Sequence, residues 1–200
     1  IISSREILPH QWEKHRKMAR WTRGGLLQRI SNRLGFDRNP LTGWCLQQLL
    51  KIHFLAAEFA DVVVFLDSDL ILTSRFTPES IFEDGLLLLP EAPATSIEDF
   101  GFEISSRVML GVNRSAPLKG AYSYIHQPPR FYSRTGRALI NSLTQANQPT
   151  PWEYRFIRQQ WPSEYHLLGY VARFMEHGLG YKFINFNTEK DTYEVRFAHD

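Results

Sequence analysis

An α/β fold, with a sheet buried between helices, is what this sequence predicts, and three observations carry the prediction. Val62-Val63-Val64-Phe65-Leu66 is a continuous β-branched and aromatic run without polar alternation, as a strand covered on both faces requires. Directly before it, Leu46, Leu49, Leu50, His53, Ala57 and Phe59 recur near helical spacing. Toward the other end, Leu167, Leu168, Val171, Ala172, Phe174 and Met175 mark the inner side of a second amphipathic helix, which leads into an apolar run from Tyr181 to Phe186.

The elements follow in order. Ile1 to Ser4 reads as the end of a strand, so further residues are expected upstream. Arg5 to Asn39 mixes basic and apolar residues around Gly24-Gly25 and Gly35, which suits one or two short surface helices. Thr42 can cap a helix from Gly43 to Phe59. Val62–Leu66 is then the centre of the sheet, and Leu70-Ile71-Leu72 a short strand. Thr77-Pro78 offers a cap and a first-turn proline for another helical turn. Leu86 to Leu89 forms a second buried strand ended by Pro90, with a loop through Pro93 and Thr95. Val108–Val112 and Tyr122–Ile125 are further strands. After Pro128-Pro129, Arg130 to Leu143 is a helix, and Gln145 to Pro151 a polar loop. Ser163 to His177 is the amphipathic helix, with Gly178 where a C-terminal glycine belongs, and Tyr181–Phe186 the last strand. No repeat, low-complexity tract or dividing linker interrupts the chain, so residues 1–200 read as a single domain.

Composition narrows the function. The net charge of +2 arises from 23 basic and 21 acidic residues spread along the whole chain, without the stripe that binding a phosphate backbone favours, so a nucleic-acid partner is not implied. Cys45 is the only cysteine, which excludes an internal disulfide and a cysteine metal cluster and fits a reducing, cytoplasmic setting. No run of apolar residues approaches the roughly 20 that span a bilayer, so no membrane segment is expected.

Asp67 and Asp69 interrupt an otherwise apolar stretch from Val62 to Leu72, at the carboxyl end of the best strand, where open α/β sheets bind ligands. If the chain stays extended, residues two apart face one side, about 7 Å from each other. Two carboxylates so close repel unless protonated or neutralised, and a hard cation such as Mg²⁺ or Mn²⁺ neutralises them while leaving room for phosphate oxygens. The plainer reading is a tight turn in which either aspartate caps backbone amides.

Phe65-Leu66-Asp67-Ser68-Asp69 resembles the DxD signature of GT-A glycosyltransferases, and Gly43-Trp44-Cys45-Leu46-Gln47-Gln48-Leu49-Leu50-Lys51 with Ser163-Glu164-Tyr165 resembles one largely bacterial branch of them. The resemblance runs from Gly43 to about Gly180. It implies a GT-A (Rossmann-like) mixed, mostly parallel sheet flanked by helices, lacking here the N-terminal strand that cradles the nucleobase. It also implies a hexosyltransferase-like enzyme moving sugar from a nucleotide-diphosphate sugar donor to a glycan or other hydroxyl acceptor, with Mn²⁺ or Mg²⁺ as cofactor. Asp67, Ser68 and Asp69 would hold the metal against the donor diphosphate. By the same resemblance Glu164 occupies the place of a catalytic base in inverting members, His126 an acceptor-side position of the cleft, and His199 that of a third metal ligand from a late segment.

Trp44, Gln48 and Lys51 share one helix face at spacings of four and three, and could reach the donor, with Lys51 directed at its phosphates. A solvated helix face explains the same spacing, as a first-turn carboxylate facing the helix dipole explains Glu164. Arg130, Arg134 and Arg137 fall at helical spacing and read as a solvated face, or as a binder of an acidic acceptor. Two rivals remain: a haloacid-dehalogenase-like phosphatase with Asp67 as nucleophile, and a non-catalytic sugar-binding module of GT-A type. Against the phosphatase, its strand signature continues with Thr or Val where Ile71 stands.

Overall fold

The computed structural model describes residues 43–57, 59–66, 70–72, 76–112, 121–125, 128–145, 150–159, 161–185 and 195–197. These form a mixed α/β structure. Helix α1 (Gly43–Ala56) turns Leu49, Ile52 and Leu55 into the core, each wholly buried. Strand β1 (Val62–Val64) pairs antiparallel with β6 (Arg130–Tyr132), and the pairing extends to Phe65, whose amide donates to the Pro129 carbonyl at 2.8 Å. Strand β2 (Leu70–Leu72) pairs antiparallel with β8 (Val195–Phe197).

After a 3₁₀ turn at Pro78–Ile81, β3 (Phe82–Glu83) joins β4 (Leu86–Pro93) through Asp84-Gly85. Both turn residues have positive φ, 52° and 76°, as a two-residue hairpin of type I′ demands. β4 is the hub of this sheet: it pairs antiparallel with β3 and with β5 (Tyr122–Ser123), and parallel with β7 (Tyr181–Asn185). One of the five pairings among the described residues is therefore parallel, which corrects the mostly parallel sheet expected from the sequence.

Helices cover these strands. α2 (Ile97–Met109) starts at a capping box, in which Ser96 Oγ accepts from the Asp99 amide at 2.9 Å and Asp99 Oδ2 accepts from the Ser96 amide at 3.3 Å. α3 (Ser133–Gln145) crosses α1 at Gly136, where a Cβ would meet the Ala56 nitrogen and a Leu55 side-chain carbon at 2.9 Å. α4 (Trp152–Ile157) buries Trp152 and Phe156. α5 (Glu164–Tyr170), buried at every position, passes into a wider π turn, Val171–Met175. The chain leaves through His177 and Gly178, with φ 52° and 70°. No helix among the described residues is long and apolar enough to cross a membrane.

Several expected boundaries move. β4 continues through Pro90 to Pro93, where a loop was expected. Val108 and Met109 close α2, and Gly111 follows with φ 71°, so no strand lies at 108–112. The helix was hidden because its buried positions include Glu103, Ser106 and Arg107, which blur the apolar period. Arg130 belongs to β6, and the helix placed there starts at Ser133.

Candidate functional site

β1 ends toward solvent: Phe65 is buried and Leu66, the next residue, is 48% exposed. Asp67, Ser68 and Asp69, the donor and metal residues expected from the sequence, lie outside the described residues, as do His126 and His199. Among the described residues no group of three or more His, Cys, Asp or Glu is placed to hold a metal ion.

What the structure describes is the ground beside that strand end. The Phe65 ring lies 6.0 Å from the Tyr165 ring at a tilt of 49°. The Tyr165 hydroxyl accepts from Lys51 Nζ at 2.5 Å, and the ammonium also stands 4.5 Å from the centre of that ring. Lys51 Nζ is 3.2 Å from Glu164 Oε1, with the lysine side chain 14% and the glutamate side chain 5% exposed. Gln48, 2% exposed, closes the cluster. With its amide nitrogen facing Glu164 it donates to Oε2 at 3.0 Å and to the Pro162 carbonyl at 3.2 Å. In the opposite orientation its oxygen accepts from the Glu164 amide at 3.3 Å. The first orientation gives two bonds, one to a carboxylate, and is the stronger assignment.

Each side chain is placed by a plain feature of the chain. Gln48 and Lys51 are three apart on α1, so they project side by side toward α5. Ser163 caps α5, its hydroxyl accepting from the His166 amide at 3.3 Å and meeting His166 Nδ1 at 3.0 Å, which sets Glu164 and Tyr165 at the helix start. A buried carboxylate demands a partner, and here it has an ammonium on one oxygen and an amide on the other. The solvated-face reading of α1 is thereby corrected for Gln48 and Lys51. Trp44, one turn earlier, is 47% exposed.

The structure thus brings Gln48, Lys51 and Glu164 together and adds Tyr165, to which the sequence assigned no part; its only signal was its place in Ser163-Glu164-Tyr165. The arginine face expected at 130–137 loses Arg130, while Arg134 and Arg137 lie half-exposed on α3. Arg130 is wholly buried and its Nε donates to the Leu88 carbonyl, while Arg134 stacks 4.0 Å from the Tyr132 ring, donates to the Leu179 carbonyl and lies 3.7 Å from Glu176.

A family model described as a family of unknown function (DUF6492) matches residues 1–195, and the chain belongs to that family. No curated protein and no solved structure matches it.

Proposed function

We propose that this member of the family is a metal-dependent glycosyltransferase of GT-A type, which moves a sugar from a nucleotide-diphosphate sugar to a hydroxyl acceptor. The observation that carries the reading is convergence. Gln48, Lys51 and Glu164 lie on two separate stretches of sequence and meet beside Tyr165, whose ring lies 6.0 Å from that of Phe65, two residues before Asp67 in the chain. A carboxylate and a cation thus stand beside the strand whose sequence continues into the acidic pair Asp67 and Asp69.

The donor set Asp67 and Asp69 is chemically suited to Mg²⁺ or Mn²⁺, hard cations that take carboxylate oxygens. Such an ion, when bound, offsets the charge of the departing diphosphate. Lys51, whose ammonium is shared with Glu164, would offer donors to the phosphates of the nucleotide. Glu164 accepts the proton of the acceptor hydroxyl as that oxygen attacks the anomeric carbon, and Gln48 orients the carboxylate through Oε2. The exposed Trp44 ring offers a surface on which a base or sugar can stack.

The test is a thermal-shift series with uridine, guanosine, adenosine and cytidine diphosphates, each with and without Mn²⁺. A ligand that binds only the folded state raises its melting temperature by mass action. One base should raise it in the presence of the metal alone, and Asp69→Ala should abolish that rise. If no nucleotide diphosphate shifts the transition, the donor reading fails. A phospho-aspartate trapped at Asp67 would replace it with the phosphatase.

A further inference from the structure

We propose that Arg173 is the anchor of a second site, one that binds an oxyanion, a carboxylate or phosphate group, at the carboxyl end of the parallel pair β4 and β7. This inference does not depend on the glycosyltransferase reading. Arg173 lies in the π turn after α5, a backbone form that recurs at functional sites. Its Nη1 donates to both carboxylate oxygens of Glu91, at 2.7 and 2.6 Å. Its guanidinium carbon lies 4.1 Å from the centre of the Tyr122 ring and 4.6 Å from that of Phe183.

A guanidinium carries five N–H donors, and Nη1 accounts for two of them. Among the described residues, the other three, on Nε and Nη2, donate to no protein acceptor, and the side chain is 25% exposed. Nε and Nη2 together form the side-on fork whose spacing matches two oxygens of a carboxylate or phosphate. Two rings and one carboxylate fix the plane of that fork before any ligand arrives, so little side-chain entropy is lost on binding. Its place is also toward the carboxyl ends of parallel strands, where α/β sheets take ligands: Glu91 stands opposite Asn185, the last pair of the parallel ladder.

The ligand chemistry can come from two sources, and the experiment separates them. The Nε–H signal of Arg173 is followed by nitrogen-15 NMR in the whole chain while inorganic phosphate, or acetate, is added at constant ionic strength, with sodium chloride as reference. A saturable shift with either anion, absent with chloride, is the expected result; the anion that saturates first identifies the group as phosphate or carboxylate. Arg173→Lys, which keeps the charge and loses the fork, assigns the signal by its disappearance; in that variant the anion, followed through the backbone amides of residues 171–175, should bind about tenfold or more weakly, the worth of one charge-assisted hydrogen bond. Should that variant not fold, phenylglyoxal modification of the unaltered chain decides, because the same anion should protect Arg173 from the reagent. A shift no larger than that with chloride, or no protection, overturns the proposal.

Discussion

Two buried ion pairs in this protein lie at similar depth and differ in what holds them. Glu103 and Arg107 are one turn apart on α2, with Nε 2.8 Å from Oε1 and side chains 2% and 9% exposed. Lys51 and Glu164 are 3.2 Å apart and join α1 to α5, with Gln48 and Tyr165 attached. The first pair needs only a helix to form; the second needs the tertiary fold. Burying an ion pair is weak ground for net stability, because desolvation offsets most of the attraction. The second pair must also be assembled from distant elements, beside the Phe65 ring at the end of β1, so helix formation alone does not account for it.

The comparison is sharpened first by breaking each pair. Lys51→Met and Arg107→Met should each destabilise the fold by about 3–5 kcal/mol, since each leaves a buried carboxylate without its cation. Urea denaturation measures both. If the Lys51 variant is as stable as the parent, Glu164 is not buried as described and the contrast dissolves.

Activity separates the pairs more cleanly. Glu164→Gln keeps the size and most of the hydrogen bonding of the side chain, so transfer should fall about a hundredfold while nucleotide-diphosphate affinity persists. Glu103→Gln should leave transfer unchanged. Equal rates in the two variants would make Glu164 as structural as Glu103.

Replacing both partners asks which pair the fold can spare. Glu103→Leu with Arg107→Met should be neutral or stabilising by about 1–4 kcal/mol, as apolar substitutes for buried pairs often are, with metal-dependent nucleotide binding intact. Lys51→Met with Glu164→Leu should fold equally well and bind nucleoside diphosphate poorly. Retained binding in the second double variant would remove Lys51 from the donor site.

These pairs also mark how far the sequence could be read. α1, β1 and the helix at Glu164 were legible as elements, because Leu46, Leu49, Leu50 and His53 keep a helical period and the valine run at Val62–Val64 admits little but a strand; the inward face of α1 was not, since of those residues only Leu49 is wholly buried, with Ile52 and Leu55 beside it. α2 was not, because its inward positions hold Glu103 and Arg107, whose mutual satisfaction leaves no apolar period to detect. Gln48 and Lys51 could be chosen by residue type and spacing, and Glu164 by the resemblance of Ser163-Glu164-Tyr165. That two of them turn inward to a carboxylate could not, since burial of a polar side chain is decided by a partner far away in sequence. Arg130 failed for the same reason: helical spacing to Arg134 and Arg137 concealed a strand residue bound to the Leu88 carbonyl.

The smallest expected effect is in the pH dependence of stability, and it belongs to the local pair. Burial pushes the Glu103 carboxyl above its ordinary value of 4.5, and the hydrogen bond and charge of Arg107 bring it only part of the way back. Burial likewise raises Glu91, against the charge and hydrogen bond of Arg173. A carboxyl whose pKa is higher in the folded state holds more protons there than in the unfolded chain, so its contribution to stability is fully present below the unfolded value and is lost as pH rises through the folded one. Asp99 works in the opposite direction and in a lower window. Burial raises it, but hydrogen bonds from the Ser123 and Ser96 side chains and the Ser96 and Thr95 amides outweigh burial and lower it below 3.8, so its contribution is lost only in stronger acid. Unfolding free energy followed from about pH 4.5 upward should therefore decline toward neutrality. Glu103→Gln removes one of the two groups responsible and should make that decline shallower, leaving the part due to Glu91. A stability that instead climbs through this window, or a slope indifferent to Glu103→Gln, would mean that Arg107 fully compensates the buried carboxylate and that the local pair is better satisfied than its burial implies.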